Sequence, residues 1–255
     1  MSEGLALVLL DSWWETMNVK VLRNVLEAND QFAGRIREQL RGRKITAINL
    51  ISAPGAGKTS LLEKTIPELI PHFRIGVLEG DIATTRDADR IAKLGVPVIQ
   101  LLTGGACHLE ASLVQRGLSE LNLDALDLVL IENVGNIACP AEFDLGENAK
   151  VGILSVTEGH DKPGKYPLLF HEVSALVLNK VDLLPYTNFD YNEFLRDFRK
   201  LNANAPVFQV SCRTGQGIGE WSHWLEHVAE GEIHVHPHSH SAVDGIAPHS
   251  HPHKH

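Results

Sequence analysis

Short apolar runs alternate with stretches of helical spacing over most of the chain. The apolar runs predict seven strands, and the segments between them predict helices. The predicted strands cover 45–52, 74–79, 96–102, 126–132, 150–156, 175–180 and 205–211. The predicted helices cover 20–40, 58–70, 85–94, 107–121, 165–173, 190–201 and 217–229. Because the strands are almost continuously apolar, both faces of the sheet should be buried, which predicts a doubly wound α/β fold with a mostly parallel sheet.

The two ends of the chain differ from this pattern. We predict an N-terminal arm and helix over 1–40, one α/β domain over 41–231 and a disordered tail over 232–255. The tail is rich in histidine: His234, His236, His238, His240, His249, His251, His253 and His255. Eight imidazoles can bind several Ni²⁺, Zn²⁺ or Cu²⁺ ions loosely, so the tail is predicted to be a metal reservoir. An expression tag is the alternative, although the histidine spacing is irregular.

Charge and cysteine content exclude several classes of protein. The chain has 23 basic and 32 acidic residues, a formal charge of -9, which argues against binding to nucleic acid. Its three cysteines, Cys107, Cys139 and Cys212, are too few for a disulfide scaffold and favour a reducing compartment. The apolar run 5–10 is too short for a signal peptide or a membrane-spanning helix. We therefore expect a cytoplasmic protein without a membrane partner.

A glycine-rich loop follows the first predicted strand and precedes a helix. This strand–loop–helix context predicts a phosphate-binding P-loop, with glycines that let backbone N–H groups approach the phosphates. Lys58 should reach the β- and γ-phosphates, and the Thr59 hydroxyl should bind Mg²⁺. Ser52 stands where the general motif has its first glycine; an ordinary glycine-rich turn is the alternative interpretation. The predicted phosphate-binding residues are Pro54, Gly55, Ala56, Gly57, Lys58, Thr59 and Ser60.

The predicted strand over 175–180 ends in Asn179-Lys180-Val181-Asp182, a sequence typical of guanine recognition. The Asp182 carboxylate can accept hydrogen bonds from N1–H and the 2-amino group of guanine, whereas adenine would leave that carboxylate unpaired. Ser211, Cys212 and Arg213 follow the last predicted strand and are expected to form a second loop around the base. Together these segments predict GTP and GDP as ligands.

Acidic residues end two further strands. Asp81 and Glu132 are oxygen donors expected beside the phosphate loop, where they would hold Mg²⁺ directly or through water. With Lys58 and Thr59 they form the predicted catalytic set, and Gly135 is expected to sense the γ-phosphate. No residue is convincing as the group that orients the attacking water, which favours slow hydrolysis. The alternative is that the two acids only cap loops.

Cys107 and His108 are adjacent, and Cys139 follows the segment that contains Gly135 by four residues. Two thiolates and an imidazole suit Ni²⁺ or Zn²⁺ rather than Mg²⁺. The predicted helix over 107–121 would place Cys107 and His108 at its N-terminus, where a thiolate is favoured. A fourth ligand would be water or would come from a second subunit. Burial of the cysteines as small apolar side chains is the alternative.

Taken together, these motifs resemble the hydrogenase nickel-incorporation GTPases, the HypB family of the SIMIBI class of P-loop proteins. The resemblance covers about residues 21–225. The segments that carry it are 49–59, 79–84, 103–109, 131–136 continuing to 139–140, 156–163 and 165–167. It implies a homodimer promoted by GTP, with Cys107, His108 and Cys139 forming the metal site at its interface. It further implies delivery of Ni²⁺ during [NiFe]-hydrogenase maturation, with a partner nickel chaperone and the hydrogenase large-subunit precursor as partners. Lys162 is expected near the nucleotide.

The chain also departs from that family. No cysteine precedes Cys107, the histidine-rich stretch follows the GTPase domain, and His160 stands where an acidic residue is expected. Two other functions stay open. A urease-maturation GTPase is the nearest, although that relative has Cys-Pro-His rather than adjacent Cys107 and His108. A nickel storage protein with a vestigial GTPase is the other, and intact Lys58, Thr59 and Asp182 argue against it.

Overall fold

The computed structural model describes residues 25–82 and 85–231. Helix α1 is described over 25–43. The strands are β1 (Thr46–Ser52), β2 (Ile75–Asp81), β3 (Val98–Leu102), β4 (Leu128–Glu132), β5 (Ala149–Ser155), β6 (Ala175–Asn179) and β7 (Val207–Gln209). The remaining helices are α2 (Lys58–Leu69), α3 (Arg86–Ala92), α4 (Ala111–Ser119), α5 (Cys139–Glu142), α6 (Lys162–Lys165), α7 (Pro167–Glu172), α8 (Tyr191–Leu201) and α9 (Ile218–Ala229).

All seven strands form one parallel sheet in the order β3-β2-β4-β1-β5-β6-β7. Strand β1 lies at its centre, where Leu50 is paired with Glu132 of β4 and with Val151 of β5. The strand order reverses at β1, and ligands of such sheets bind outside the carboxyl ends of the strands at this point. The loops that follow β1, β2 and β4 therefore converge on one edge of the sheet.

Helices cover both faces of the sheet, as expected for buried parallel strands. On one face, α2, α3 and α9 pack against a cluster that includes Ile48 and Leu50 of β1. On the other, α1 and α4 pack around Ala47, and α7 and α8 pack around Ile51. Side chains at alternating positions of β1 therefore pack into cores on opposite faces of the sheet, because successive residues of a strand point to opposite faces. The doubly wound α/β fold is confirmed.

The predicted strands are confirmed to within two residues at each end, but the helix predicted from 107 is wrong. Helix α4 begins at Ala111, and Cys107 lies in the loop before it. Gly104 and Gly105, earlier in the same loop, adopt positive φ angles of 64° and 104°. The Ala111 N–H donates to Oδ1 of Asn29 in α1 at 2.8 Å, so a distant side chain sets where the helix begins.

Two short helices also differ from the prediction. The helix predicted over 165–173 is observed as α7, which begins at Pro167. Helix α6, which precedes it and is separated from it at Tyr166, was not predicted; each of the two contains a proline in its first turn. Helix α5 was not predicted, since four residues show no periodicity. The predicted N-terminal arm and the histidine-rich tail lie outside the described residues. Within the described ranges, no helix is long and apolar enough to cross a membrane.

Candidate functional site

The loop between β1 and α2 is folded around two glycines in the left-handed region. Gly55 has a φ of 76° and Gly57 a φ of 102°. A Cβ on Gly57 would also overlap the side-chain amide of Asn179, so this position excludes other residues on two grounds. Helix α2 begins immediately afterwards, at Lys58, with its unpaired N–H groups directed at the cleft.

Lys58 is buried, and its amino group donates to the Ser52 hydroxyl at 3.1 Å. Burial lowers the pKa of Lys58, an effect that the neighbouring Glu132 carboxylate opposes. The Ser52 hydroxyl in turn donates to the Ala53 carbonyl at 2.8 Å. The serine that replaces the first motif glycine therefore holds the lysine beside the phosphate loop.

The carboxyl ends of β2 and β4 line the same cleft, which has a volume of about 460 Å³. The Thr59 hydroxyl donates to Oε1 of Glu132 at 2.7 Å. Glu79, which sequence reasoning missed, lies across from Glu132, and together with Asp87 these residues place carboxylate oxygens within 4.8 Å of one another. Asp81 lines the cleft as predicted but accepts the Ile82 N–H at 2.5 Å. The sequence signal that could have identified Glu79 is an acidic residue in an otherwise apolar strand.

Burial brings two of these carboxyls to unusual pKa values. Burial raises the pKa of Glu79 to about 8, with further contributions from Glu132, Asp81 and Asp87. Burial also raises the pKa of Glu132 to about 7, although Lys58 opposes the change. In both side chains Oε2 is buried without a hydrogen-bond partner in the described chain. Two unpaired buried oxygens facing one cleft fit a hard cation such as Mg²⁺.

A second cavity of about 460 Å³ adjoins the phosphate loop and is lined by the predicted base-binding residues Asn179, Lys180, Asp182, Cys212 and Arg213. The Asn179 amide donates to the Ala56 carbonyl at 2.9 Å, which ties the base loop to the phosphate loop. The Lys180 amino group donates to the Gly55 carbonyl at 2.7 Å and joins the two loops a second time. The base loop is thus fixed relative to the phosphate loop.

Asp182 is oriented by its neighbours. The Ser211 hydroxyl donates to Oδ1 of Asp182 at 2.7 Å, and Arg213 lies 3.7 Å from Oδ2. The carboxylate therefore faces the cavity with its position set by a hydrogen bond, as selection of a planar base with two donors requires. Cys212 donates its backbone N–H to Oδ1 of Asn179 at 3.4 Å.

The segment after β4 touches the phosphate loop. A Cβ on Gly135 would lie 3.2 Å from Cα of Pro54, so the two backbones approach closely. Asn133, buried and not predicted, accepts the Leu109 N–H at 3.2 Å through Oδ1 and donates to Asn49 at 3.2 Å. This one side chain joins the end of β4 to the loop that carries Cys107 and His108.

Cys107, His108 and Cys139 come together as a cluster. The sulfur atoms lie 3.0 Å apart, and Sγ of Cys107 is 3.7 Å from Nδ1 of His108. The His108 ring stacks on Phe143 with a centroid separation of 3.8 Å, and burial lowers its pKa, which favours the neutral ligand form. The hydrogen bond with Cys107 raises the pKa of Cys139. The three donors suit a borderline or soft transition metal.

Lys162 is the first residue of α6, and its amino group lies 5.4 Å from the Tyr166 ring centroid. Its charge and that of Lys180 favour the ionised form of Glu158, but burial dominates and raises the pKa of Glu158. Lys162 lines neither of the two described cavities, so its place near the nucleotide stays a prediction.

Comparison with known proteins agrees with this geometry. A family model described as CobW/HypB/UreG, nucleotide-binding domain, matches residues 46–209. The hydrogenase maturation factor HypB of Azotobacter chroococcum mcd 1 is 47% identical over 210 residues, covering 82% of this chain and 68% of the relative. The structure of HypB from Helicobacter pylori in complex with nickel has a TM-score of 0.79 at 35% identity, covering 83% of this chain and 99% of that one. HypB from Archaeoglobus fulgidus has a TM-score of 0.75 at 37% identity, covering 80% and 100%.

The parallel sheet, the glycine-rich loop and the adjoining base cavity define a P-loop nucleotide-binding protein. With the sequence matches, the chain belongs to the CobW/HypB/UreG family and, within it, to the HypB hydrogenase maturation factors. The resemblance inferred from the sequence motifs is confirmed.

Proposed function

We propose that this protein is a GTP-hydrolysing nickel metallochaperone, which delivers Ni²⁺ during maturation of a [NiFe]-hydrogenase. The observation that carries the proposal is the connection between the two sites. The Cys107–His108–Cys139 cluster and the phosphate loop are joined through the segment from Asn133 to Cys139. A change at the γ-phosphate can therefore reach the metal ligands over a few residues.

Two side chains must give up their present hydrogen bonds when the nucleotide binds. Lys58 leaves Ser52 to bind the phosphates and to neutralise the charge that develops on them in the transition state. To hold Mg²⁺, the Thr59 hydroxyl would exchange its hydrogen bond to Glu132 for the ion, with Glu132, Glu79 and Asp81 as the nearby acids. When bound there, Mg²⁺ would neutralise charge on the β- and γ-phosphates.

The metal ligands depend on the same segment. Cys139 begins α5, four residues after Gly135, while Leu109 next to His108 is bonded to Asn133. When the γ-phosphate shifts Gly135 relative to Pro54, both ligand loops are displaced together. The distance between the Cys107 and Cys139 sulfur atoms, and hence the metal affinity, should then depend on the nucleotide.

We include a GTP-promoted homodimer in this proposal. Three ligands leave a tetrahedral ion one short, and Cys107 is exposed, so a second copy can approach it. Leu102 is the last residue of β3, and Ile82 follows its paired residue Asp81 at the end of β2. They are 56% and 49% exposed, which offers an apolar surface for that copy. A nickel chaperone and the hydrogenase large-subunit precursor are the proposed source and recipient of the ion.

The test uses the full chain with its eight tail histidines replaced by asparagine. Ni²⁺ binding and release are measured with GDP and with a non-hydrolysable GTP analogue. The absorption of the nickel–thiolate bond identifies the cysteine site, and light scattering reports the dimer. We expect one thiolate-bound Ni²⁺ per chain, lost in Cys107→Ala, and a release rate that depends on the nucleotide.

Two control variants separate the parts of the proposal. Cys212→Ser removes a thiol outside the cluster and should retain the thiolate-bound nickel. Lys58→Ala should retain the nickel but lose both GTP turnover and the effect of nucleotide on release. If all nickel binding disappears with the tail histidines, the delivery model is wrong and a GTPase with a passive metal store is the better description.

A further inference from the structure

Helix α9 carries a pair of histidines on its solvent side. His223 and His227 are four residues apart and therefore lie on the same face of the helix. Their ring centroids are 4.3 Å apart, and the two Nε2 atoms are 2.9 Å apart. The pair is separate from the cysteine cluster and from both nucleotide cavities.

We propose that His223 and His227 chelate a divalent transition-metal ion, with water in its remaining positions. Two ring nitrogens at about 2.0–2.1 Å from an ion, at an angle of 90°, are about 2.9 Å apart. A tetrahedral angle would separate them by about 3.3 Å. The observed 2.9 Å is the length of a hydrogen bond between the two rings and is close to the separation of two nitrogens that share one ion, so little rearrangement is needed for both rings to bind it.

A carboxylate on the same helix orients the first ring. Nδ1 of His223 lies 3.4 Å from Oε2 of Glu226. When Nδ1 carries the proton and donates it to this carboxylate, the lone pair of the ring is on Nε2. Carboxylates that accept from the second nitrogen of a ligating histidine fix its tautomer and raise its basicity. Nε2 of His227 binds an ion when the ring carries its proton on Nδ1.

The opposite face of α9 holds the helix rigidly. Trp221, Trp224 and Val228 are buried in the core, and the Trp221 indole donates to the Thr65 hydroxyl of α2 at 2.9 Å. The two histidines therefore lie on a rigid stretch of backbone, which reduces the entropy lost when both rings bind one ion. His227 also lies in the last turn of α9, where the helix dipole favours a cation.

The experiment uses the full chain with the tail histidines replaced by asparagine and with Cys107→Ser to remove the thiolate site. Ni²⁺ is titrated by calorimetry without nucleotide, with excess Mg²⁺ present to occupy the carboxylate cluster. We expect one equivalent of Ni²⁺ to bind. Replacing either His223 or His227 by asparagine converts a two-point chelate into a single contact and should weaken binding by about a hundredfold.

Two further variants make the result specific. Glu226→Gln keeps both ligands and should weaken binding by about tenfold through loss of orientation. His72→Asn removes an exposed histidine after α2 and should leave binding unchanged. Circular dichroism checks that each variant is folded. Unchanged Ni²⁺ affinity in His223→Asn, or no bound equivalent in the starting protein, would overturn the proposal without bearing on the GTPase or the cysteine cluster.

Discussion

Removing the charge of Glu79 should stabilise the protein without nucleotide, and more so as the pH rises. Glu79 is 2% exposed, its Oε2 has no hydrogen-bond partner in the described chain, and its pKa is raised from 4.5 to about 8. The folded chain therefore binds a proton more tightly than the unfolded chain. Between about pH 4.5 and 8 this contribution to stability falls as the pH rises, because ionising the buried carboxyl is unfavourable only in the folded state.

The magnitude follows from the two pKa values. One pKa unit corresponds to about 1.4 kcal/mol, so the proton that Glu79 takes up on folding costs on the order of 3 kcal/mol at pH 7 and 4 kcal/mol at pH 8. Glu79→Gln keeps the shape of the side chain and removes that cost. The variant and the parent should differ little near pH 4.5, and the variant should become more stable by these amounts at higher pH.

Urea unfolding at pH 5, 6, 7 and 8, with a chelator and without nucleotide, measures the difference in the free energy of unfolding. Glu68→Gln, on the exposed side of α2, is the matched control for the change from carboxyl to amide. The prediction is wrong if the difference between Glu79→Gln and the parent stays constant with pH, or if the parent is more stable than Glu79→Gln at pH 8.

Three further predictions concern the nucleotide and its connection to the metal cluster. Gly57→Ala should lower the free energy of unfolding by about 2–3 kcal/mol, since it combines a positive φ with displacement of the Asn179 amide, whereas Gly55→Ala meets open space and should cost about 1–2 kcal/mol in the same urea assay. Asp182→Asn should reduce GTP affinity by about a hundredfold, and xanthosine triphosphate should bind better than GTP in a competition assay, because the amide donates where the carboxylate accepts. Asn133→Ala should retain GTP binding but make the Ni²⁺ release rate equal with GDP and with the GTP analogue, as measured by stopped-flow mixing with a chelator.

The local motifs contained enough information to predict the fold and much of the candidate site. A strand followed by a glycine-rich loop has few alternative structures, since Gly55 and Gly57 adopt angles that other residues avoid. The strands were equally clear, because a parallel sheet covered on both faces requires continuous apolar runs. These features depend on neighbours in sequence, so their pattern can be seen without the tertiary structure.

Other features depend on residues far apart in the chain. Glu79 and Glu132 lie side by side only because β2 and β4 are adjacent, in an order that local pattern does not specify. Asn29 sets the start of α4 from 82 residues away, which left Cys107 and His108 in a loop rather than a helix. The amino-acid sequence specifies which chemical groups the protein has and which helices and strands carry them. Only long-range packing decided which of those groups meet, because burial, pKa and hydrogen-bond partners depend on neighbours in space.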